Sequence, residues 1–366
     1  MSFELDIRAV GTGTTSGDAI AMRYGTFNGN SNAQRVIVVD GGFQENGDDL
    51  VRFIQNVYGT RRVDLVICTH PHDDHVNGLH EIFDNLQVGS FWMHRPWEHA
   101  DSVAAYVREK RMTTQKFSDR LRRSLENAYE LEKLAIRKGI TPVEPFAGVT
   151  FDNRLFVIGP SPAYYENLVC EFGEATTLGG TFAEYFQAIP RKAAELRRRI
   201  SEAIEGEDQL VEPAENDVNA RNNSSAIIVA RLEDKADVLL TADAGVPALT
   251  RAADYAERST YRLEPSVRYF QVPHHGSKRN LGPSILNRII GSPHADSKKQ
   301  AFVSASNEWD KKHPSMRVTN ALRRRGATVS GTQRKSIVYR SADVPMRAGW
   351  KPVVPIPFTS DYDEED

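Results

Sequence analysis

The stretch Thr69-His70-Pro71-His72-Asp73-Asp74-His75 directly follows the apolar run Val63-Asp64-Leu65-Val66-Ile67-Cys68. The apolar run predicts a buried strand, so the polar stretch begins where that strand ends. Imidazoles and carboxylates crowded together in this way are costly to desolvate unless a cation compensates them. We therefore predict a divalent metal centre at residues 70–75.

The spacing of these side chains separates them into two groups. His70 and His72 lie two residues apart at the strand end, where an extended chain can aim both rings at one point. Asp74 and His75 are adjacent and lie on the turn into the following helix, where they can serve a second ion. Neutral imidazole together with ionised carboxylate favours zinc, and manganese or iron fits where oxygen ligands dominate. The sequence thus predicts two divalent metal ions, with zinc favoured.

Two later strands also end on residues of the ligand type. The run Leu239-Leu240-Thr241-Ala242-Asp243 brings a carboxylate suited to bridging two ions, and the strand Val267–Val272 precedes the pair His274-His275. In a layered α/β fold such strand ends share one edge of the sheet, where loops build the active site. We predict that Asp243 and His274 are ligands, and that the neighbouring His275 contacts substrate or makes a structural hydrogen bond.

The alternation of strands and helices up to Met93 predicts an α/β fold with a buried sheet. Two insertions interrupt this pattern, a helix-rich one at about residues 97–140 and a mostly polar one at about residues 160–220. Both are expected to belong to a single domain of residues 1–342. The Pro-rich and acidic tail of residues 343–366 is predicted to be disordered.

The composition is that of a globular protein with a substantial core. Of the 366 residues 40% are hydrophobic and 26% are charged, and the formal net charge of −3 gives no overall attraction to nucleic acid or to an anionic membrane. No apolar run reaches the roughly 18 residues of a membrane span, and the first residues lack the regions of a secretory signal. Two cysteines are too few for a disulfide framework. We expect a cytoplasmic protein without membrane contact.

The order of these motifs resembles that of the metallo-β-lactamase superfamily. Residues 70–75 fit its HxHxDH pattern, and Asp40-Gly41-Gly42, Asp243 and His274-His275-Gly276-Ser277 stand in its order along the chain. Within the superfamily the chain is most similar to the hydrolase domain of ComEC-type competence proteins and their stand-alone relatives. Three further motifs carry that likeness: Gly17-Asp18-Ala19, Asn222-Asn223-Ser224-Ser225 and His313-Pro314. The resemblance covers roughly residues 5 to 340 apart from the two insertions.

The resemblance implies a four-layered αββα sandwich, the metallo-β-lactamase fold, with helical insertions and a dinuclear metal site. The metal ligands that it implies are six side chains: His70, His72, Asp74, His75, Asp243 and His274. Asp40 is expected to orient a ligand histidine, and Asp73 or Asp74 to assist proton movement. The remaining site residues are the catalytic candidates His275 and His313 and the substrate contacts Asn223, Ser277 and Lys278.

One position departs from the common superfamily pattern. That pattern has a further histidine between the HxHxDH motif and the bridging aspartate, and this chain has Asn222 and Asn223 there. We therefore expect the first ion to be held by His70, His72, Asp243 and water, more weakly than the second ion.

The predicted reaction is hydrolysis by a metal-activated water at the dinuclear site. The leading hypothesis is a phosphodiesterase or nuclease acting on DNA or RNA. The alternatives are a lactone, thioester or β-lactam hydrolase of the same fold, and a weakly catalytic binding or regulatory module. Arg120-Leu121-Arg122-Arg123 lies among acidic helical residues and predicts a salt-bridged face rather than a phosphate site. The insertion at 97–140 is a candidate dimerisation arm, substrate lid or surface for a protein partner, and the sequence does not choose among them.

Overall fold

The computed structural model describes residues 1–11, 15–27, 33–103, 113–172, 210–232, 236–294, 296–306 and 313–359. Most of the predicted insertion at 160–220 and the acidic end of the tail lie outside these ranges. Among the described residues, no helix has the length and apolar character needed to cross a membrane.

Six strands form the first sheet, in the spatial order β13-β1-β2-β3-β4-β5. They are β1 Ser2–Ile7, β2 Ala19–Gly25, β3 Gln34–Gly41, β4 Arg62–Ile67, β5 Gln87–Trp92 and β13 Ile337–Arg340. The three strands β3, β4 and β5 run parallel, and the other neighbours are antiparallel. The parallel strands therefore bring their carboxyl ends to one edge of the sheet.

Seven strands form the second sheet, in the order β12-β11-β10-β9-β8-β7-β6. They are β6 Thr150–Phe151, β7 Leu155–Gly159, β8 Ile227–Ala230, β9 Asp237–Leu240, β10 Val267–Gln271, β11 Gln300–Val303 and β12 Thr328–Gly331. Strands β9 to β12 are parallel to one another, whereas β6, β7 and β8 are paired antiparallel.

The helices are distributed along the whole described chain. They are α1 Gln44–Phe53, α2 Asp73–Val76, α3 Leu79–Asn85, α4 Ala100–Val103, α5 Thr114–Ser124, α6 Glu126–Arg137, α7 Pro162–Val169, α8 Ala220–Asn223, α9 Val246–Arg258, α10 Leu263–Ser266, α11 Pro283–Ile289 and α12 Met316–Arg324. A wider helical turn, Ile54–Tyr58, continues α1. Short 3₁₀ turns cover Pro96–His99 and His274–Gly276.

The alternation of side chains along each strand produces four layers. In β3, Ile37 and Val39 pack in the core between the two sheets, whereas Val36 and Val38 pack in the core beneath the first helical layer. In β9, Leu240 belongs to the core between the sheets and Leu239 to the core beneath the second helical layer. Successive residues of a strand point to opposite faces, so each sheet is covered on both sides. The predicted α/β class and αββα layering are confirmed.

The helix-rich insertion is part of the first helical layer. Phe117 and Leu121 of α5 and Leu131 of α6 are fully buried in the same core as the helix-facing side of the first sheet. The polar faces of α5 and α6 point outward, as expected of amphipathic helices that cover a sheet.

Two helix predictions change in detail. The helix expected from Asp49 begins at Gln44, because Phe43 and Asn46 bond each other's backbone and cap its first turn. The helix expected from Val76 to Leu86 divides into α2 and α3. At the division, a Cβ on Gly78 would lie 2.0 Å from the carbonyl oxygen of Gly41, so only glycine allows this close approach.

The expectation of a disordered tail is wrong for residues 343–359. Side-chain and backbone contacts hold this segment. The guanidinium of Arg347 pairs with the buried carboxylates of Asp6 and Glu4, at 2.5 and 2.8 Å. Further along, the backbone N–H of Ile356 donates to the carbonyl of Val329 at 2.8 Å. The buried carboxylates of β1 need cationic partners. Arg23 of β2 pairs with Glu4 at 2.5 Å, and the tail supplies Arg347, a role that its proline-rich composition does not reveal.

Candidate metal centre

The predicted ligands meet at the carboxyl ends of strands from both sheets. His70 follows β4, Asp243 follows β9, and the pair His274-His275 follows β10. His75 lies on α2, the short helix that begins three residues after His70. Parallel strands within each sheet place these chain segments at a common edge, and the two sheets bring the two halves of the centre together.

One group of donor atoms gathers around one carboxylate oxygen of Asp243. The Nε2 atom of His70 lies 3.1 Å from Nδ1 of His72 and 3.6 Å from Oδ2 of Asp243. The Nε2 atom of His274 lies 3.7 Å from the same Oδ2 atom. The rings of His70 and His274 thus approach the same oxygen of Asp243, and the ring of His72 lies against that of His70.

A second group gathers around the other oxygen of Asp243. The Nε2 atom of His75 lies 3.6 Å from Oδ1 of Asp243 and 3.6 Å from Oδ2 of Asp74. The Nε2 atom of His275 also lies 3.6 Å from Oδ2 of Asp74. The two oxygens of Asp243 therefore face the two groups, as a bridging carboxylate requires.

The spacing and chemistry of both groups fit divalent metal ions. Two atoms bonded at about 2.1 Å to one tetrahedral ion lie about 3.4 Å apart, close to these separations. Separations of 3.6 Å are too long for hydrogen bonds between the side chains themselves. Among the described residues, Nε2 of His75 and Oδ1 of Asp243 are buried without a hydrogen-bond partner. A cation between them satisfies both atoms.

Four of the histidines use their Nδ1 atom for a contact outside the centre. The partners of Nδ1 are Asp40 Oδ2 for His75 at 2.8 Å, the carbonyl of Ser304 for His275 at 2.9 Å, Asn280 Oδ1 for His274 at 3.0 Å and Thr69 Oγ1 for His70 at 3.1 Å. In each case an acceptor at Nδ1 places the ring proton there and leaves the lone pair of Nε2 directed inward. Metal-ligating histidines are usually oriented in this way.

The electrostatics favour the metal-binding states of His70 and Asp243, whereas in the absence of an ion burial is outweighed by the nearby carboxylates, which raise the pKa values of His75 and His275. Burial, together with the nearby imidazole of His75, holds the pKa of His70 well below its ordinary value, so its ring is neutral. Burial alone would raise the pKa of Asp243, but His274 and His75 hold it well below the ordinary value. Asp243 is therefore an ionised carboxylate, and a neutral imidazole beside it completes a ligand pair suited to zinc.

A polar cleft of about 400 Å³ opens beside the first group. Its lining is Pro71, His72, Asp73, Asp74, Arg123, Ser124, Leu125, Glu126, Asn127 and Arg221. The corner between α5 and α6 forms one wall, and there Asn127 donates a 2.8 Å hydrogen bond to Asp73. Two arginines, Arg123 and Arg221, thus line the same cleft as His72 and Asp74.

Among the described residues, the predicted salt-bridged face on α5 includes Arg122 but not its neighbour Arg123. Arg122 lies 3.6 Å from Glu98 and 3.7 Å from Asp119. Arg123 is exposed and lines the cleft instead. Arg122 and Arg123 point in different directions because successive side chains are about 100° apart around a helix.

The predicted substrate contacts lie close to the centre with their polar atoms turned to the backbone. Asn223 is buried, donates to the carbonyl of Val218 at 3.0 Å and accepts from the N–H of Gly245 at 3.1 Å. Ser277 is also buried and accepts from the N–H of Arg279. This geometry favours a role in holding the loops for Asn223 and Ser277 over the predicted contact with substrate.

The remaining predicted residues border the loop of the paired histidines. Lys278 follows Ser277 on that loop and is half-buried. His313 lies beside the first group, with its ring centroid 6.1 Å from that of His274. The loop of His313 is fixed there because Ser315 donates its N–H to the carbonyl of Gly276.

Several supporting residues were not predicted individually. Asn280 connects His274 to the backbone of Asp243, and Gln271 donates to Asp18, whose carboxylate lies 3.9 Å from Nδ1 of His75. Asp18 is part of the Gly17-Asp18-Ala19 motif, which predicts no particular role for its carboxylate. For Asn280 the only signal was its position three residues after the His274–Ser277 motif.

The segment that contains His70, His72, Asp74 and His75 matches a known protein family. Residues 31–164 match the metallo-beta-lactamase superfamily. No curated protein matches the chain. The matched segment contains the HxHxDH motif and ends before Asp243, His274 and His275, which the fold adds from the second sheet. The matched segment, the αββα layers and the clustered donors are the features expected of a metal-dependent hydrolase of this superfamily.

Proposed function

We propose that the protein is a phosphodiesterase or nuclease that uses two divalent metal ions, with zinc favoured over manganese or iron. His70, His72 and Asp243 hold the first ion in this proposal. Asp74, His75, Asp243 and His275 hold the second. The observation that carries the proposed substrate is the cleft beside the first group, where two arginines line the wall.

The cleft, which is lined by two arginines and by the carboxylates of Asp73, Asp74 and Glu126, suits a polar substrate better than an apolar one. Only Pro71 and Leu125 among its lining residues are apolar. Guanidinium groups bind phosphate oxygens through paired, charge-assisted hydrogen bonds. Arg123 and Arg221 both line the cleft beside His72, and Nη2 of Arg221 also donates to the carbonyl of Phe172 at 2.9 Å. A lactone, thioester or β-lactam hydrolase would be expected to have a more apolar cleft.

The chain's own side chains account for orientation and for proton transfer. Ions held at these positions would supply Lewis-acid chemistry and a water nucleophile near neutral pH. Asp243 fixes the distance between the two groups because its two oxygens face different histidines. Asp73 is exposed in the cleft and is oriented by Asn127, so it can carry a proton to or from the reacting groups.

The position of the insertion supports a role in substrate binding. Its apolar face packs on the first sheet, and its corner at residues 123–127 lines the cleft. Among a dimerisation arm, a substrate lid and a surface for a protein partner, this position favours the substrate lid, here as a fixed wall of the cleft. We include DNA and RNA among the proposed substrates because both present a regular series of phosphates to paired arginines.

A substrate panel tests the proposal. Purified, metal-loaded protein is incubated with bis(p-nitrophenyl) phosphate, DNA and RNA oligonucleotides, a lactone, a thioester and a β-lactam. We expect cleavage of the phosphodiesters, and its loss in His72→Ala. Cleavage of only the lactone, thioester or β-lactam would replace the proposal with a different hydrolase. No cleavage of any substrate, with His72→Ala indistinguishable from the wild type, would favour a binding or regulatory module.

A further inference from the structure

We propose that the tandem histidines divide between the two ions, and that His274 supplies the third imidazole of the first ion. The sequence has asparagines where the superfamily pattern places that histidine, and water was expected to fill the position. This inference rests on the metal centre of the proposed function and is independent of its substrate.

The backbone directs the two neighbouring rings to different places. His274 and His275 both have positive φ, 47° and 56°, and Gly276 continues the turn with φ 84°. Two successive left-handed residues are rare for side chains with a Cβ, and they turn the chain sharply here. The ring centroids lie 5.6 Å apart with the ring planes at 61°. Adjacent residues thereby reach different donor groups.

Each ring faces a different carboxylate. Nε2 of His274 lies 3.7 Å from Oδ2 of Asp243, the same oxygen that lies 3.6 Å from Nε2 of His70. Nε2 of His275 lies 3.6 Å from Oδ2 of Asp74, within the second group. Each histidine thus lies as far from a carboxylate of the centre as His70 and His75 lie from Asp243, at 3.6–3.7 Å.

Asn280 fixes the tautomer of His274. Its Nδ2 atom donates to the carbonyl oxygen of Asp243 at 2.8 Å, so its Oδ1 atom must face the other way, toward Nδ1 of His274 at 3.0 Å. An amide oxygen only accepts, and therefore Nδ1 of His274 carries the ring proton. The lone pair of Nε2 is then directed at Asp243. Asn280 is fully buried, so this arrangement is held rigidly.

The asparagine that stands in the expected place touches the same ring. Nδ2 of Asn222 lies 3.5 Å from Nδ1 of His274. Asn222 stands where the superfamily pattern has its histidine, and its side chain therefore reaches the same place in the centre as His274. An imidazole from the β10 loop replaces one from the segment before Asp243, while the shorter asparagine leaves room for it.

Metal binding tests this inference without reference to catalysis. Full-length protein is loaded with Zn²⁺, and the affinity of each ion is measured by competition with a chromophoric chelator together with elemental analysis. We expect His274→Ala to weaken one ion by at least about 100-fold and to leave the other unchanged, because loss of a ligand exceeds the effect of losing an orienting residue. His275→Ala should weaken the other ion. His294→Ala is the matched control, because His294 is an exposed histidine that is not among the proposed ligands.

Two further measurements separate ligation from folding. Asn280→Ala keeps the imidazole and should weaken the same ion as His274→Ala by about 10- to 100-fold. In Co²⁺-substituted protein, each bound imidazole that keeps a ring N–H gives a shifted, solvent-exchangeable proton resonance. The wild type should show one more such resonance than the conservative variant His274→Gln.

Unchanged affinities in His274→Ala for every ion that the wild type binds would overturn the inference, as would identical resonance counts in His274→Gln. A wild type that binds both ions as described but cleaves no phosphodiester would instead contradict the proposed function and leave the division of the histidines standing.

Discussion

The imidazole of His75 donates from Nδ1 to Oδ2 of Asp40 across a distance of 2.8 Å. The same carboxylate accepts from the backbone N–H and the hydroxyl of Thr69, at 2.8 and 2.7 Å. Asp40, the second-last residue of β3, has a positive φ of 56°, a strained conformation, and its carboxylate contacts His75 on α2. One buried side chain thus connects the ends of two neighbouring strands to a ring of the metal centre.

Asp40→Asn is predicted to weaken binding of the second ion by about 10- to 100-fold. The amide has one accepting oxygen instead of two, so it cannot accept both from the backbone N–H of Thr69 and from Nδ1 of His75, and the orientation of the His75 ring is no longer fixed. Competition with a chelator measures the change. Asp64→Asn is the matched control, because Asp64 is a buried carboxylate that accepts from the N–H of Val36 outside the centre. Equal loss of metal affinity in both variants would contradict the orienting role.

Arg123→Gln is predicted to raise KM for an oligonucleotide about tenfold with little change in kcat. The guanidinium contributes to binding a phosphate near the metal centre, and an interaction of about 1.4 kcal/mol corresponds to a factor of ten. The slope of log KM against log salt should also fall by about one contact. Steady-state kinetics at several salt concentrations provide the measurement.

Arg122→Gln is the comparison for that variant. Arg122 precedes Arg123 on α5 but pairs with Glu98 and Asp119 and stacks on Tyr129. We expect its KM to match the wild type. If the two variants raise KM equally, the effect comes from the overall charge of the insertion and not from the cleft.

How much of this site the sequence predicts depends on how far apart along the chain the residues of the site lie. The cluster at 70–75 and the ends of β9 and β10 are local patterns, an apolar run followed by ligand-type residues, and such patterns are visible without a fold. The presence of both Arg123 and Arg221 in one cleft is not a local pattern of this kind. These residues are almost a hundred positions apart, and only the packing of α5 on the first sheet brings them to one cleft.

The division of His274 and His275 shows a second limit. Their identity indicates metal binding, but which ion each one reaches depends on two successive positive φ angles and on the amide of Asn280. The short strands near the end of the chain show a third limit of prediction from the sequence. β11, β12 and β13 have four residues each, too few for alternation to stand out, and their place is set by pairing with β10 and β1.

Leu121→Ala is predicted to lower the free energy of unfolding by about 2–5 kcal/mol. Leu121 is fully buried between α5 and the core of the first helical layer, and its truncation leaves a cavity there. Urea denaturation of the metal-loaded protein measures the loss. Lys116→Ala, on the exposed side of the same helix, should change stability by less than about 0.5 kcal/mol. A loss below about 1 kcal/mol for Leu121→Ala would show that the insertion contributes little to the core.

The contact between His99 and Glu144 is predicted to make stability depend on pH. Burial opposes the charged form of His99, but hydrogen bonds from its ring to Glu144 and Glu166 raise its pKa above the ordinary 6.5. Burial likewise opposes the charged form of Glu144, but His99 lowers its pKa below the ordinary 4.5. The raised pKa gives stability that is complete below pH 6.5 and is lost as pH rises through the folded value; the lowered one gives stability present above pH 4.5 and lost at lower pH.

The difference in unfolding free energy between the wild type and His99→Gln should therefore be largest between about pH 5 and 6.5 and should shrink as the solution becomes more alkaline. Urea denaturation at intervals from pH 5 to about 9 measures it. Glu144→Gln and the double variant complete a cycle that isolates the pair. A difference that stays constant across this range would show that His99 stabilises the fold by packing alone.

Removal of metal is predicted to lower the thermal midpoint of unfolding. Without a cation, Nε2 of His75 and Oδ1 of Asp243 have no hydrogen-bond partner among the described residues, and the carboxylates of the cluster lie beside one another in a buried place. A ligand that binds only the folded state stabilises it by about 2.7 kcal/mol at one hundred times its dissociation constant. The midpoint should therefore fall in chelator and rise steadily as Zn²⁺ is added back. His72→Ala should reduce this dependence and His294→Ala should preserve it, because only the first residue faces the centre. A midpoint that is the same in chelator and in excess Zn²⁺ would mean that the cluster holds its charges without an ion.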